Sequence, residues 1–352
     1  MLPTPDLLPR HAAKLMDRTF RPRSRIDWCG AMLGGPIAVF LSITEAGSKE
    51  RLTVEKMLLL DRVGSIALSN TGDQIAYTVE ITDSATYATH QDVYVAPSGS
   101  IGRARRMLAG EHGVSRVQWA SDGHSIYYLS CASGTSQLWN VSADSGVKRQ
   151  VTDFPLDIIT FRLADRDRLL VTAHDVFPEC LDLECTRARI EKEQHRKDTG
   201  RLYKDGEAPR FMDSYGDGRH VNLFSSVLSD SSAVTRSIPI THDYRYDILV
   251  TAFGLQQDFS VSVDGKWVYF AARPSGSNQG DELPKAIYRA ETGCSDRFGV
   301  IAQDAALSLS SPRISPDGRR LAYLEAEGKA YTAPRITVWV RDLECAFTIS
   351  GL

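Results

Sequence analysis

Serine, histidine and cysteine are the side chains of this 352-residue chain that could serve as nucleophile, general base or metal ligand. A serine nucleophile on an α/β sheet needs the G-x-S-x-G elbow, a strained turn that holds the hydroxyl clear, with acid and base later in the chain. Gly99-Ser100, Gly134-Thr-Ser136 and Gly276-Ser277 come nearest, and each lacks the second glycine at the required place. The eight histidines are His11, His90, His112, His124, His174, His195, His220 and His242. They are scattered over expected turns and loops, so solvent or turn histidines are expected, not a catalytic base. Of six cysteines, only Cys180 and Cys185 are close in sequence. No second pair or histidine stands at zinc-site spacing, so no metal site is expected. The pair reads either as a small local disulfide or as two reduced surface thiols. No catalytic residue, metal or cofactor is expected.

The balance of charge narrows the partners. Lys+Arg number 41 and Asp+Glu 44, a net charge of -3, with 42% hydrophobic residues. That is the composition of a folded globular chain, and it lacks the basic excess that nucleic acid requires. Residues 1–50 differ from the rest. Arg10, Lys14, Arg18, Arg21, Arg23 and Arg25 stand against a single acid, Asp17, and an uncharged run of 17 residues follows from Trp28 to Thr44. A basic leader, an apolar stretch and small residues (Thr44, Ala46, Gly47) follow the order of a secretory signal peptide, whose true start could be Met16. An uncleaved anchor, or a disordered basic arm, would use the same letters. The expectation is an exported protein, periplasmic or extracellular, with no membrane contact beyond this segment. Cleavage would remove Cys29 and leave five cysteines, an odd number that argues against a full disulfide framework.

A repeat organises residues 51–352. Four segments share one pattern: Ser69 to Tyr77, Ala120 to Tyr128, Ser262 to Phe270 and Ser315 to Tyr323. Each sets a tight turn before a β-branched and aromatic run, the turns carrying Gly72, Asp122 with Gly123, Asp264 with Gly265, and Asp317 with Gly318. A degenerate copy, Ala164 to Val171, puts Arg166 in the glycine slot. The slots at 72, 123, 166, 265 and 318 are 51, 43, 99 and 53 residues apart. Asp-Gly supplies the positive φ of a hairpin, and the run after it enters a buried strand. Candidate strands precede the turns (Val114–Trp119, Phe259–Val263) and follow them (Asp92–Ala96, Gln137–Val141, Ile336–Val340). Strand, turn, strand, loop, strand at a period near 50 predicts an all-β propeller of five to six blades; a β-sandwich leaves the spacing unexplained. The long step holds Glu184–Lys197, a run of helix formers, so residues 174–220 are expected to be a helical insertion within one blade.

These blades resemble the TolB-like, WD40-like propellers found N-terminally in the prolyl oligopeptidase (S9) family of serine peptidases, and more closely its exported bacterial dipeptidyl and acylaminoacyl peptidases. The likeness rests on Leu52-Thr-Val-Glu-Lys-Met57, Val63 to Ser69, Asp92-Val-Tyr-Val95, Asp175 to Cys180 with Cys185, and Asp213 to Phe224 with Asp217-Gly-Arg219. It covers roughly residues 51 to 342. The resemblance implies a propeller that caps a C-terminal α/β-hydrolase domain and restricts entry to short or unfolded peptides. The Ser-Asp-His triad would lie on that domain, and only 29 residues follow Tyr323 here. Some dipeptidyl peptidases hold the substrate amine with paired glutamates from a propeller helix. Glu191 and Glu193 are separated by Lys192 and fall on different helical faces, so they read as surface charge.

The expectation is therefore the non-catalytic propeller of such a peptidase, from a shortened gene or fragment. Its ring would be open, it would be inactive alone, and peptide would be substrate only in full-length relatives. The alternative is a stand-alone TolB-like periplasmic propeller that binds a protein partner, its ring closed by Leu52–Leu60 pairing with the last blade.

Overall fold

The computed structural model describes residues 51–343 apart from 100, 112, 198–209, 212–213, 216–217, 230, 243–247, 249–258, 273–285, 294–297, 305 and 328–334. The leader expected over residues 1–50 lies outside the described residues. The chain enters through a short helix, α1 (Val54–Leu58), capped by the Thr53 hydroxyl, which accepts from the Lys56 amide at 3.3 Å. Helix occupies Val54–Leu58, and among the described residues no strand from Leu52–Leu60 pairs with the fifth sheet.

Among the described residues five antiparallel sheets of three or four strands follow in chain order, with one small two-stranded sheet inserted in the third. The first is β1 (Arg62–Leu68), β2 (Gln74–Thr82), β3 (Thr89–Pro97) and β4 (Arg105–Glu111). The second is β5 (Ser115–Trp119), β6 (Ser125–Ser130), β7 (Gln137–Ser142) and β8 (Lys148–Gln150). The third uses β9 (Thr160–Ala164) and β10 (Leu169–Val176), then, after helix α2 (Leu183–Gln194) and the small hairpin β11 (Arg210–Phe211) and β12 (Ser214–Tyr215), closes with β13 (His220–Val227) and β14 (Ile238–Pro239). The fourth is β15 (Phe259–Val261), β16 (Trp267–Ala272), β17 (Ala286–Glu291) and β18 (Phe298–Gln303). The fifth is β19 (Leu307–Ile314), β20 (Arg320–Glu327) and β21 (Ile336–Asp342). Sequence-neighbouring meanders of this kind, one per repeat, are propeller blades.

The turns explain why the repeat folds this way. The Ser262 hydroxyl donates to Asp264 at 2.6 Å and accepts the Trp267 amide at 2.9 Å, while the Gly265 amide reaches the Ser262 carbonyl at 2.9 Å. Gly265 sits at φ +72, where a side chain is disfavoured. Ser315, Asp317 and Gly318 repeat those bonds, and Ser69 does so with Asp73 and Gly72. In the second sheet Ala120 replaces the serine, and the Gly123 amide still reaches its carbonyl at 3.0 Å. The degenerate turn keeps its shape without glycine: Asp165, Arg166 and Asp167 take φ of 47, 52 and 66. Short polar Asp side chains tolerate that region better than most. The Asp167 carboxylate also accepts the Ser121 amide at 2.6 Å, tying this turn to the preceding blade.

Strand periodicity does the rest. Ile126 and Tyr128 of β6 pack against Ala76, Val93 and Val95 of the first sheet, while Tyr127 and Leu129 face Phe161, Leu170 and Phe224 of the third. Val268 and Phe270 of β16 join Val171 and Leu223 of the third sheet, and Tyr269 and Ala271 join Leu309 and Leu321 of the fifth. Alternate residues thus point to opposite faces, and every middle sheet is buried on both. The first strands of successive sheets also lie side by side, β1 by β5, β5 by β9, β9 by β15 and β15 by β19. No buried cluster among the described residues joins the first sheet to the fifth.

Candidate functional site

Among the described residues the adjacent first strands line a concavity of about 210 Å³ that is open to solvent, formed by Ser65 and Ile66 of β1, Arg116, Val117 and Gln118 of β5, and Arg162 of β9. Its walls are fixed by bonds between blades. The Val117 amide donates to the Ser65 hydroxyl at 3.0 Å, the Trp119 indole donates to the Ala67 carbonyl at 3.2 Å, and the Leu163 amide donates to the Gln118 side chain at 3.4 Å. A bulge in β5 between Ser115 and Gln118 places Arg116 at φ +57. Such a bulge re-aims a side chain out of the regular alternation. Arg162 donates to the Phe161 carbonyl at 2.9 Å, and its guanidinium lies 5.5 Å from the centre of the Phe259 ring.

The second feature is the insertion between β10 and β13. The Cys180 and Cys185 sulfurs are at bonding distance, 2.04 Å, with Cα atoms 5.4 Å apart. Between them Asp182 caps α2, accepting the Cys185 amide at 2.7 Å, which starts the helix one residue before the expected Glu184. The helix ends at Gln194, earlier than Lys197, where the His195 backbone caps it. Leu183 and Thr186 bury its inner face, the Thr186 hydroxyl accepting from the Phe177 amide at 3.3 Å. Arg189 stacks 3.9 Å above the Phe177 ring and pairs with Glu179 at 2.6 Å. Glu191 pairs with Arg187 and Glu193 with Arg196 along the solvent side, as surface charges do.

Three histidines lie on strands rather than on turns or loops, His90 in β3, His174 in β10 and His220 in β13, and one of them is fully buried. His174 is no solvent or turn residue: it lies fully buried in β10, edge-on to Phe154 and Phe224. Its Nδ1 contacts the Asp157 carbonyl and its Nε2 the Thr172 hydroxyl, each at 2.9 Å. Burial pushes its pKa down to about 4, only partly opposed by the Asp157 carbonyl, so it is neutral at neutral pH. With both ring nitrogens engaged by its own sheet and the loop before it, it is a core residue. The other outlier is Asp92, buried in β3. Burial would raise its pKa, but the Gly110 amide, Arg106 and the Tyr94 hydroxyl outweigh that and hold it below the usual range.

Sequence reasoning missed the arginines of the cavity. An arginine stands in the strand before four of the five turns (Arg62, Arg116, Arg162 and Arg313), but not at one fixed distance from the turn. The expected turn residues lie at the β1–β2, β5–β6, β15–β16 and β19–β20 connections and do not converge with Cys180 and Cys185 on one site. Among the described residues no cluster of His, Cys, Asp and Glu could hold a metal ion, and no helix is long and apolar enough to cross a membrane.

The chain is 22% identical over 302 residues to a dipeptidyl-peptidase 5 of Porphyromonas endodontalis, and 24% identical over 311 residues to that of Porphyromonas gingivalis. Each match covers 84% of this chain, within a fold of repeated blades. The chain is a peptidase-related propeller. It spans 41% and 42% of the length of those two relatives. A Pyrococcus horikoshii acylaminoacyl peptidase superposes with a TM-score of 0.52 at 12% identity, covering 82% of this chain and 39% of that one, which supports the fold. No family model matches the sequence.

Proposed function

We propose that this peptidase-related propeller is a peptide-admitting module without hydrolytic activity of its own. What carries the reading is one juxtaposition: dipeptidyl peptidase relatives match 84% of the chain, yet its 352 residues hold no G-x-S-x-G elbow. A propeller supplies a rigid ring of strands around a concavity, and function on such a scaffold resides in the site rather than the fold. Here the first-strand cavity receives an extended peptide. The protein is exported by the basic and apolar segment within residues 1–50, into a compartment that keeps the cysteine pair oxidised.

The test is an assay of the purified chain with fluorogenic dipeptidyl amides, beside labelling with a fluorophosphonate that reacts with activated serines. The expected result is neither turnover nor labelling, together with saturable binding of short unstructured peptides. Turnover abolished by a single serine substitution would overturn the reading. Fusing residues 1–50 to a reporter active only outside the cytoplasm checks export; an inactive fusion removes that part.

A further inference from the structure

The joints between neighbouring sheets use the same positions of the repeat. Counted from the turn glycine, the third and fifth residues face the sheet before, and the fourth and sixth face the sheet after. Ile126 and Tyr128, which follow Gly123, pack with Ala76 and Val93 of the first sheet, while Tyr127 and Leu129 pack with Leu170 and Phe224 of the third. Val268 and Phe270, which follow Gly265, pack with Val171 and Leu223 of the third sheet, while Tyr269 and Ala271 pack with Leu309 and Leu321 of the fifth. The end sheets use only half of this scheme. In the fifth, Leu321 and Tyr323 pack towards the fourth sheet. Ala322 and Leu324 lie on its other face, in register with Val340 and Val338, which are 61 and 67% exposed. In the first, Ala76 packs towards the second sheet. Ile75 and Tyr77 lie on its other face, in register with Leu68 and Ile66, which are 58 and 64% exposed.

The two open faces are therefore unlike halves of one joint. The fifth sheet offers fourth and sixth positions and the first offers third and fifth, the pair that meets wherever two sheets stack inside the molecule. In a single chain the halves stay apart: among the described residues no buried cluster joins the first sheet to the fifth, and the aliphatic side chains of both faces stand in water. A second copy supplies the counterpart of either face. We propose that the chain associates head to tail, the open face of the fifth sheet of one copy packing on the open face of the first sheet of the next and continuing the joints that link its own sheets. Burial of aliphatic surface drives this association. The joint is heterologous and leaves one face of each kind free on a pair, so association runs on into a chain or closes as a ring of copies. It does not depend on the peptide reading.

Sedimentation velocity of the full chain over a range of concentrations tests the joint with two variants, Val338→Lys on the fifth sheet and Leu68→Lys on the first. The parent should associate as concentration rises, and each variant alone should do so about ten-fold more weakly or less, as for loss of a central contact. Mixed in equal amounts, each variant keeps the face that the other has lost, so the two should form a one-to-one dimer that grows no further. Val147→Lys, at an exposed position between β7 and β8, should associate as the parent does. Circular dichroism shows that each variant is folded; where a lysine variant is not, Val338→Ser or Leu68→Ser takes its place. A variant that associates alone as well as the parent would mean like face on like face and overturns the head-to-tail joint. Variants that fail to pair when mixed overturn it too, as does a parent that stays monomeric at every concentration.

Discussion

At the scale of single residues, His174 and Asp92 decide the response to acid. The folded pKa of His174 is about 4, against about 6.5 for an unfolded histidine. The unfolded chain therefore takes up a proton first as pH falls, and stability, full above about pH 6.5, declines until about pH 4 by on the order of 3 kcal/mol. Asp92 behaves differently. Its depressed pKa contributes stability above the ordinary carboxylate value of about 3.9, and that stability is lost as pH falls through the folded value. The turn aspartates follow the same sign, held low by the Thr71 and Ser69 hydroxyls at Asp73, by Ser262 at Asp264 and by Ser315 at Asp317. Urea unfolding between pH 8 and 3 should thus show a shallow decline below pH 6.5 and a steeper one below pH 4. His174→Asn should flatten the first limb and leave the second. A second prediction concerns two glycines of nearly equal φ, +72 at Gly265 and +73 at Gly318. A Cβ at Gly318 meets open space, whereas one at Gly265 comes within 3.1 Å of Leu169 and 3.3 Å of Asp165. Gly318→Ala should cost about 1 kcal/mol for the left-handed backbone alone, and Gly265→Ala measurably more in the same denaturation assay.

At the scale of elements, the blade strands were readable because two local signals agree: a turn that demands positive φ, and alternation on the strand after it. The expected strands at Asp92–Ala96, Gln137–Val141 and Ile336–Val340 all lie within β3, β7 and β21. Helix α2 was readable from composition, while its ends followed capping by Asp182 and His195 rather than propensity. His174 was not readable. On a sheet buried on both faces, alternation no longer separates inside from outside, so a histidine in β10 gives no cue to its burial. Nor were the cavity arginines, because Arg116 and Arg162 meet only once successive blades have stacked. The insertion offers its own test. Closing a loop of about six residues with a disulfide stabilises by about 2 kcal/mol in the chain-entropy account. Intact-mass measurement with and without alkylation should find the Cys180 and Cys185 thiols blocked in oxidised protein. Reduction should lower the melting temperature, and the Cys180→Ala, Cys185→Ala double variant should melt at the reduced value whatever the redox conditions.

At the scale of the whole propeller, five sheets are held by four buried clusters, and the outer faces of the end sheets stay apolar. On β21, Ile336, Val338 and Val340 are 60, 67 and 61% exposed, and their register partners on β20 are Ala326, Leu324 and Ala322. On β1, Ile66 and Leu68 are exposed opposite Tyr77 and Ile75. A flat apolar sheet face of this kind associates with another. Sedimentation should show concentration-dependent self-association that Val338→Lys or Ile336→Lys reduces, with unfolding free energy changed by no more than about 0.5 kcal/mol because these side chains are already in water.

The same stacking has a consequence for how the molecule comes apart. If each sheet is held only by its neighbours, stability is a sum over a line of units, and the line is weakest at its ends. Amide hydrogen exchange should therefore form a gradient. Protection should be greatest in β10, β13 and β6, which have a packed sheet on either side, and least in β1 and β21, whose amides should exchange by local opening well below the global unfolding energy. Uniform protection across all five sheets would mean that the blades open as one cooperative body.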